Sequence, residues 1–499
     1  MGLRPIARMR RVASLLVVAG SVGLAIPSLA AATTRYAAPG GTAADTMCTT
    51  PEVPCSIGAA AGGPDVTAAD EAVIEPGSYS DSDLDGDASQ PMDHSVRITA
   101  GSVHGQIGDR PVIALTTEFA PSAFVVGAGT TLSDVEVHGT DSGGAISQTG
   151  GVVERIIAST DRDGSVPCSI EPNSEALMRN SFCFSRGDDS SAIRSEIFGQ
   201  VGTHTIRLRN VTAVATQPDS DAIFVEGRGA GTTINVDAKS VIARGNAVDV
   251  LGEGLSSFDP PLPNTGANVS IALDHSNYVT WSARSDSGGG MAAVTPAGTG
   301  TNQTGAVVFQ ADGYHQLADS GSSTIDKGAV DAFSGTTDID GQNRTIGQAP
   351  DIGADELGFP TSTHVACTPN PVQFGSGPLI CRVSVTDAVS PPPVMFHSGV
   401  RLMSERFGEF GGNCEELGTI STTRAGCSQP FTPGGPGVDR ITATFPGDAT
   451  QDPSTGTDLL DVMAAPSPPA PQPPHHAKCK KRKRNAAAAK KKCRKRKRR

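Results

Sequence analysis

The stretch DSDLDGD sets Asp81, Asp83 and Asp85 at alternate positions and follows them with Gly86. Alternate carboxylates ending in a glycine bend open a calcium loop, because a hard cation is wrapped by oxygen ligands. The twelfth position of such a loop is a bidentate glutamate; here it is Met92, with Asp93 one step late. Asp81, Asp83 and Asp85 are the candidate calcium ligands, and a solvated acidic loop is the alternative. A second acidic stretch, DIDGQNRTIGQAPDIGADE, carries Asp338, Asp340, Asp351, Asp355 and Glu356. It is a catalytic or cation site, or a device that ends a fold. The last fits its residue types: Asp-Gly favours a tight turn, and an aspartate there accepts backbone N–H groups. Arg344 can fork onto a nearby carboxylate.

The stretch RGDDSSAIR, residues 186–194, resembles the GDDxxAI stretch of polygalacturonases. In that family, paired aspartates protonate the leaving oxygen and activate water across a gap of roughly 6.5–9.5 Å. Asp188 and Asp189 would take those roles, but the upstream NTD box and an RIK equivalent are missing, and Gly202-Thr203-His204 only loosely matches the family's GHG. Arg207 and Arg209 would project from one strand face, roughly 6.8 Å apart. A polyuronide lyase needs such a cationic face, while surface pairing with the acidic body is the plainer reading, worth roughly 0–1 kcal/mol a pair. His94, His104, His138, His204, His275 and His315 show no HxH or HxxxH spacing and read as turn or surface residues. With one tryptophan, Trp281, and four tyrosines, only SNYVTW offers an aromatic platform for a sugar ring, so a long sugar cleft is not expected.

These residues sit among short β-type runs broken by Gly, Asn, Asp and Ser. Ala followed by an apolar residue recurs at Ala123, Ala145, Ala176, Ala192, Ala222 and Ala247, and alternating runs such as TIRLRNVTAV and NVSIALD follow most copies. Periods of this size mark a repeat architecture in which each rung buries its inner face only by stacking on the next. Small alanines suit a tight interior corner. The pattern predicts a right-handed parallel β-helix, against an antiparallel sandwich or propeller as alternative. Glycine (58) and proline (36) argue against an α-rich fold.

Residues 314–356 resemble the segment that closes the β-helix in exported bacterial proteins of the choice-of-anchor Q type, with the pattern SxAIDxG, DxDGxxR and DIGAxE. Ser323-Thr324 departs from that pattern. The resemblance implies that Asp326, Asp338, Asp340, Arg344 and Asp351 tie the last rungs together. VACTPNPVQFGSGPLICRVSVTD and the later GNCEELGTISTTRAGCSQPFTPGGPGVDRITATFPGD resemble a bacterial Ig-like sandwich, with Phe445 replacing its usual tyrosine. That likeness implies a spacer or adhesive module.

The ends speak to location. Arg4, Arg8, Arg10 and Arg11, an apolar run from Val12 to Ile26 and the small residues SLAAA read as an export signal, with a retained anchor as alternative. Ten cysteines fall as close pairs: Cys48/Cys55, Cys168/Cys183, Cys367/Cys381, Cys414/Cys427 and Cys479/Cys493. Disulfides between neighbours are the working expectation for an exported chain. The net charge of −12 hides a split, since Lys478–Arg499 carries 15 Lys/Arg and the body is strongly acidic. The expected organisation is a signal peptide at 1–32, a β-helix at 33–357, an Ig-like sandwich at 358–462, a Pro-rich linker at 463–477 and a disordered basic tail at 478–499. The expected protein is secreted or held at the cell surface, monomeric and non-enzymatic, serving adhesion, display or envelope interaction. Its tail would engage an anionic envelope polymer or lipid, a glycan is a further partner, and no specific nucleic acid or cofactor beyond calcium is implied. A polysaccharide lyase or glycoside hydrolase acting on an acidic polymer is the alternative; no catalytic residue is assigned.

Overall fold

Runs in which every second residue is apolar dictate the architecture. The computed structural model describes residues 32–465, leaving out 43–47, 85–95, 108, 117–121, 141–143, 257–264, 297–299, 314, 318–321, 388–398, 407, 413, 422 and 449. The export signal, Asp85, most of the Pro-rich linker, the basic tail and the Cys479/Cys493 pair lie outside the described residues. The described chain is all-β, with two short helices, Ile57–Gly62 and Asp81–Leu84. No described helix is long and apolar enough to cross a membrane.

Between Thr34 and Pro296 all strand pairings are parallel, and each joins one pass of the chain to the passes before and after it. They form three ladders. The first runs through Thr34–Thr42, Glu71–Ile74, Ser102–His104, Thr131–Ser133, Val152–Glu154, the first halves of Glu175–Ser185 and Gly202–Ala215, Thr232–Lys239, Asn268–Asp274 and Met291–Pro296. The second runs through Ser78–Ser80, Val112–Leu115, Glu136–Gly139, Ile157–Thr160, the second halves of the same two long strands and Ile242–Arg244. The third, which carries the site, runs through Val96–Arg97, Phe124–Val126, Gly144–Gln148, Val166–Ile170, Ser191–Phe198, Asp221–Arg228, Val250–Leu255 and Trp281–Ser285. Register aligns Phe124, Ile146, Cys168, Ile193, Ile223 and Val250 in one column, each no more than 2% exposed. The column ends at Trp281, 50% exposed on the last strand. Because side chains alternate across a strand, the residues between these point outward.

From the pass that holds Thr131–Ser133 onward, a single left-handed residue turns six passes from the first ladder to the second. Asp134, Arg155, Asn180, Asn210, Ser240 and His275 occupy this corner with φ between 46° and 58°. Asn and Asp tolerate that region better than most residues. Asn210 Nδ2 donates to Asn180 Oδ1 at 3.0 Å, so the corner is also a hydrogen-bonded stack. The alanine repeat marks a different place: Ala123, Ala145, Ala192 and Ala222 are fully buried at or just before the start of third-ladder strands. Ala176 belongs to the first ladder, and Ala247 lies in an exposed turn.

The acidic stretch 338–356 lies over the outer face of the second ladder, where Ile339 and Ala354 pack on Ile157 and Phe182. Gly353 comes so close that a Cβ there would meet Ile242 Cδ1 at 2.5 Å. From Thr361 onward the sheets are almost wholly antiparallel. A five-stranded and a four-stranded sheet share a core of Val365, Cys381, Val383, Phe431, Ile441, Phe445 and Leu460. Cys48–Cys55, Cys168–Cys183, Cys367–Cys381 and Cys414–Cys427 are joined as disulfides, in the neighbour pairing that the spacing suggested. Such bonds persist in an oxidising environment.

Candidate functional site

Outward positions of the third ladder line a groove of about 390 Å³. Register sets its floor: Arg194, Phe224 and Leu251 fall in one row, and Glu253 and Arg284 in the next, a row that Glu196 and Glu226 continue beyond the groove. Asp189, Asp219 and Asp221 rim it from the turns that enter the strands. Strands lie about 4.8 Å apart, so three glutamates in register repel one another. Arg284 Nη1 offsets this at Glu253, 2.8 Å away, and Arg228 pairs with Glu226. Arg194 stands 5.8 Å from the centre of the Phe224 ring.

Burial pushes the Asp221 carboxyl up to about 6, Glu253 adds to the rise, and Arg284 and Arg194 oppose it. Burial likewise raises Glu226, against the pull of Arg228, with Glu253 and Glu196 adding. Glu171 is raised by burial and by Glu196. The groove therefore offers carboxylates and guanidinium groups to hydroxyls, one aromatic ring, and an acid able to exchange a proton near pH 6.

The sequence candidates scatter. Asp81 Oδ2 accepts Thr116 N and Oγ1, both at 2.9 Å. Asp83 accepts Gly40 N and Ser80 N, each at 2.8 Å. Burial would raise Asp83, but these N–H groups outweigh it and hold the carboxyl below its usual range. Both residues lie on a helical turn that fastens neighbouring passes; Asp85 lies outside the described residues. Of the GDD pair, Asp189 reaches the groove, while Asp188 N donates to Asp163 Oδ1. Arg207 and Arg209 do share a face, but it is spoken for. Arg207 pairs with Glu175, Arg209 pairs with Asp237 and Asp331, and both flank the Phe333 ring. His204 is buried with Nδ1 on Pro172 O, not at the surface. Tyr278 is buried while Trp281 is exposed, so SNYVTW forms no platform.

The acidic stretch ties down backbone. Asp338 accepts the N–H groups of Asp340, Gln342 and Glu356. Asp351 accepts those of Asp326 and Leu357, and Asp326 those of Gln348 and Ala349. Arg344 forks onto Glu356 Oε2 at 2.9 Å and onto the carbonyls of Asp351 and Ala354. Sequence reasoning missed Arg194, Asp221, Phe224, Glu253 and Arg284. The signal that could have found them is the outward half of the alternation in SAIRSEIF, DAIFVEGR and VLGEGL. Comparison of the chain with protein-family models, curated proteins and solved structures finds no match.

Proposed function

We propose that the protein is an exported, envelope-associated right-handed parallel β-helix with an Ig-like sandwich, and that the outer groove of the third ladder binds a glycan. Three parallel ladders joining successive passes support the β-helix; right-handed crossover is the rule for parallel strands. Two sheets around one core, with Cys367 opposite Cys381, support the sandwich. The likeness of residues 314–356 to choice-of-anchor Q proteins adds to the reading. The single observation that carries the glycan assignment is the groove: hydrogen-bonding carboxylates and guanidinium groups around Phe224, laid out in strand register on a rigid sheet. Display and adhesion follow from binding without turnover, and the basic C-terminal segment would hold the protein to anionic envelope polymers.

A second reading rests on Asp221, whose raised carboxyl suits a general acid in glycoside hydrolysis. The row of glutamates beside it makes an acidic polymer a poor substrate, so a neutral or amino-sugar polymer is favoured for both readings. The test is a glycan array together with a polymer-cleavage screen, using purified protein and the Asp221→Asn variant, with and without calcium. Binding without cleavage is expected. Cleavage that the variant loses would replace binding by hydrolysis, and neither binding nor cleavage would remove the groove from the account.

A further inference from the structure

The second cavity, about 160 Å³, lies where the acidic stretch meets the antiparallel sheets. Four aspartates line it: Asp312, Asp340, Asp355 and Asp452. His315 stands among them with Nδ1 2.6 Å from Asp312 Oδ2 and Nε2 2.6 Å from Asp340 Oδ2. Arg110 reaches Asp340 Oδ1 from the other side at 3.5 Å. Even with His315 protonated, the four carboxylates face two cations among the described residues, His315 and Arg110, an imbalance that burial makes costly. Asp355 shows it most plainly. The residue is 4% exposed, and its Oδ2 accepts the Gln316 N–H. Its Oδ1 meets no donor among the described residues, although the side chain lines the cavity.

We propose that His315 Nε2, Asp340 and Asp355 form a binding site for a first-row divalent cation of the zinc class. Donor atoms of the three lie within 4.8 Å of one another. A tetrahedral zinc holds nitrogen and oxygen ligands at roughly 2.0–2.2 Å, so donors sit about 3.3–3.6 Å apart. The His315–Asp340 contact opens by less than about 1 Å and Asp355 closes in. Asp312 already stands where a carboxylate orients a ligating imidazole, on Nδ1–H, which leaves Nε2 for the metal. The mixed imidazole and carboxylate set selects against calcium and magnesium, which prefer oxygen alone. On binding, the cation takes the place of the proton between Nε2 and Asp340, and that proton leaves to solvent. Asp355 Oδ1 gains the partner it lacks, and the cavity leaves room for a fourth ligand, water or Asp452. The bound ion would pin the acidic stretch against the segment around Asp452.

The test uses the full chain, stripped with EDTA and dialysed against zinc chloride, beside Asp355→Asn and His315→Gln. His475 and His476 can also take zinc, so the readout is the difference between wild type and variants. One equivalent lost in both variants is expected, with affinity rising roughly tenfold per pH unit from pH 6 to 8 as the displaced proton becomes easier to remove. Equal zinc in all three proteins would overturn the site. Cobalt in the wild-type protein gives a readout that does not depend on the variants folding. One equivalent of cobalt with a nitrogen–oxygen visible spectrum supports the site, and no stoichiometric cobalt binding overturns it.

Discussion

Replacing Arg344 by methionine should loosen the acidic stretch, and loosen it more at pH 8 than at pH 5. Arg344 and Glu356 are 3% and 1% exposed, and the guanidinium is the cation that Glu356 meets. Removing one partner of a buried pair leaves the other charged and costs about 3–5 kcal/mol. Burial raises the Glu356 carboxyl to about 7 from its usual 4.5, with Arg344 pulling it down and Asp351 pushing it up. A folded value above the unfolded one gives stability that is whole below pH 4.5 and lost as pH rises through 7. That difference corresponds to roughly 3 kcal/mol. Without Arg344 the carboxyl rises further, so at pH 5 Glu356 is neutral and the lost partner matters less. Hydrogen exchange should read this at the amides of Ile346 and Asp351, which Glu356 accepts. Protection there should fall by a hundredfold or more at pH 8 and by markedly less at pH 5, with the third ladder unchanged. An equal loss at both pH values would refute the reasoning.

Asn210→Ala should destabilise the parallel body by about 1–3 kcal/mol in urea unfolding. It places alanine at φ 52° and leaves Asn180 Oδ1 and Ser334 O without the Nδ2 they accept. Cys168→Ala with Cys183→Ala should lower the melting midpoint, since the bond closes a loop of sequence separation 15, worth about 3 kcal/mol. Phe431→Ala, removing a fully buried ring, should cost about 3–5 kcal/mol in the antiparallel part and leave the parallel ladders folded by circular dichroism.

The all-β class and the parallel stacking were legible because alternation and small buried alanines repeat locally. The corner was not. It depends on one left-handed residue in each of six passes, and Arg155, Ser240 and His275 share it with Asn and Asp, so no single residue type flags it. The four disulfides followed from neighbour spacing because each joins cysteines 15 or fewer residues apart, and Cys367 stands directly opposite Cys381 on the neighbouring strand. The structural use of Asp338 could be read from turn chemistry, while for Asp326 and Asp351 only the resemblance of residues 314–356 to a closing segment implied one. Groove and cation cluster were hidden for a different reason. Asp221, Glu253 and Arg284 come from three passes, and His315 meets Asp340 and Asp355 across the fold, so register brings together residues that local windows keep apart. At the calcium pattern, Asp81 Oδ2 and the Asp83 carboxylate accept backbone and hydroxyl donors, and Asp85 lies outside the described residues.

The proposal that the groove binds a glycan is tested most directly by titrating a glycan selected on the array into wild type and Phe224→Ala. The ring stands on the groove floor, and its loss removes about 1 kcal/mol of stacking beyond area burial. Binding weakened about fivefold or more, with an unchanged melting temperature, is the predicted result. Equal affinity in the two proteins would contradict it and place the glycan elsewhere on the molecule.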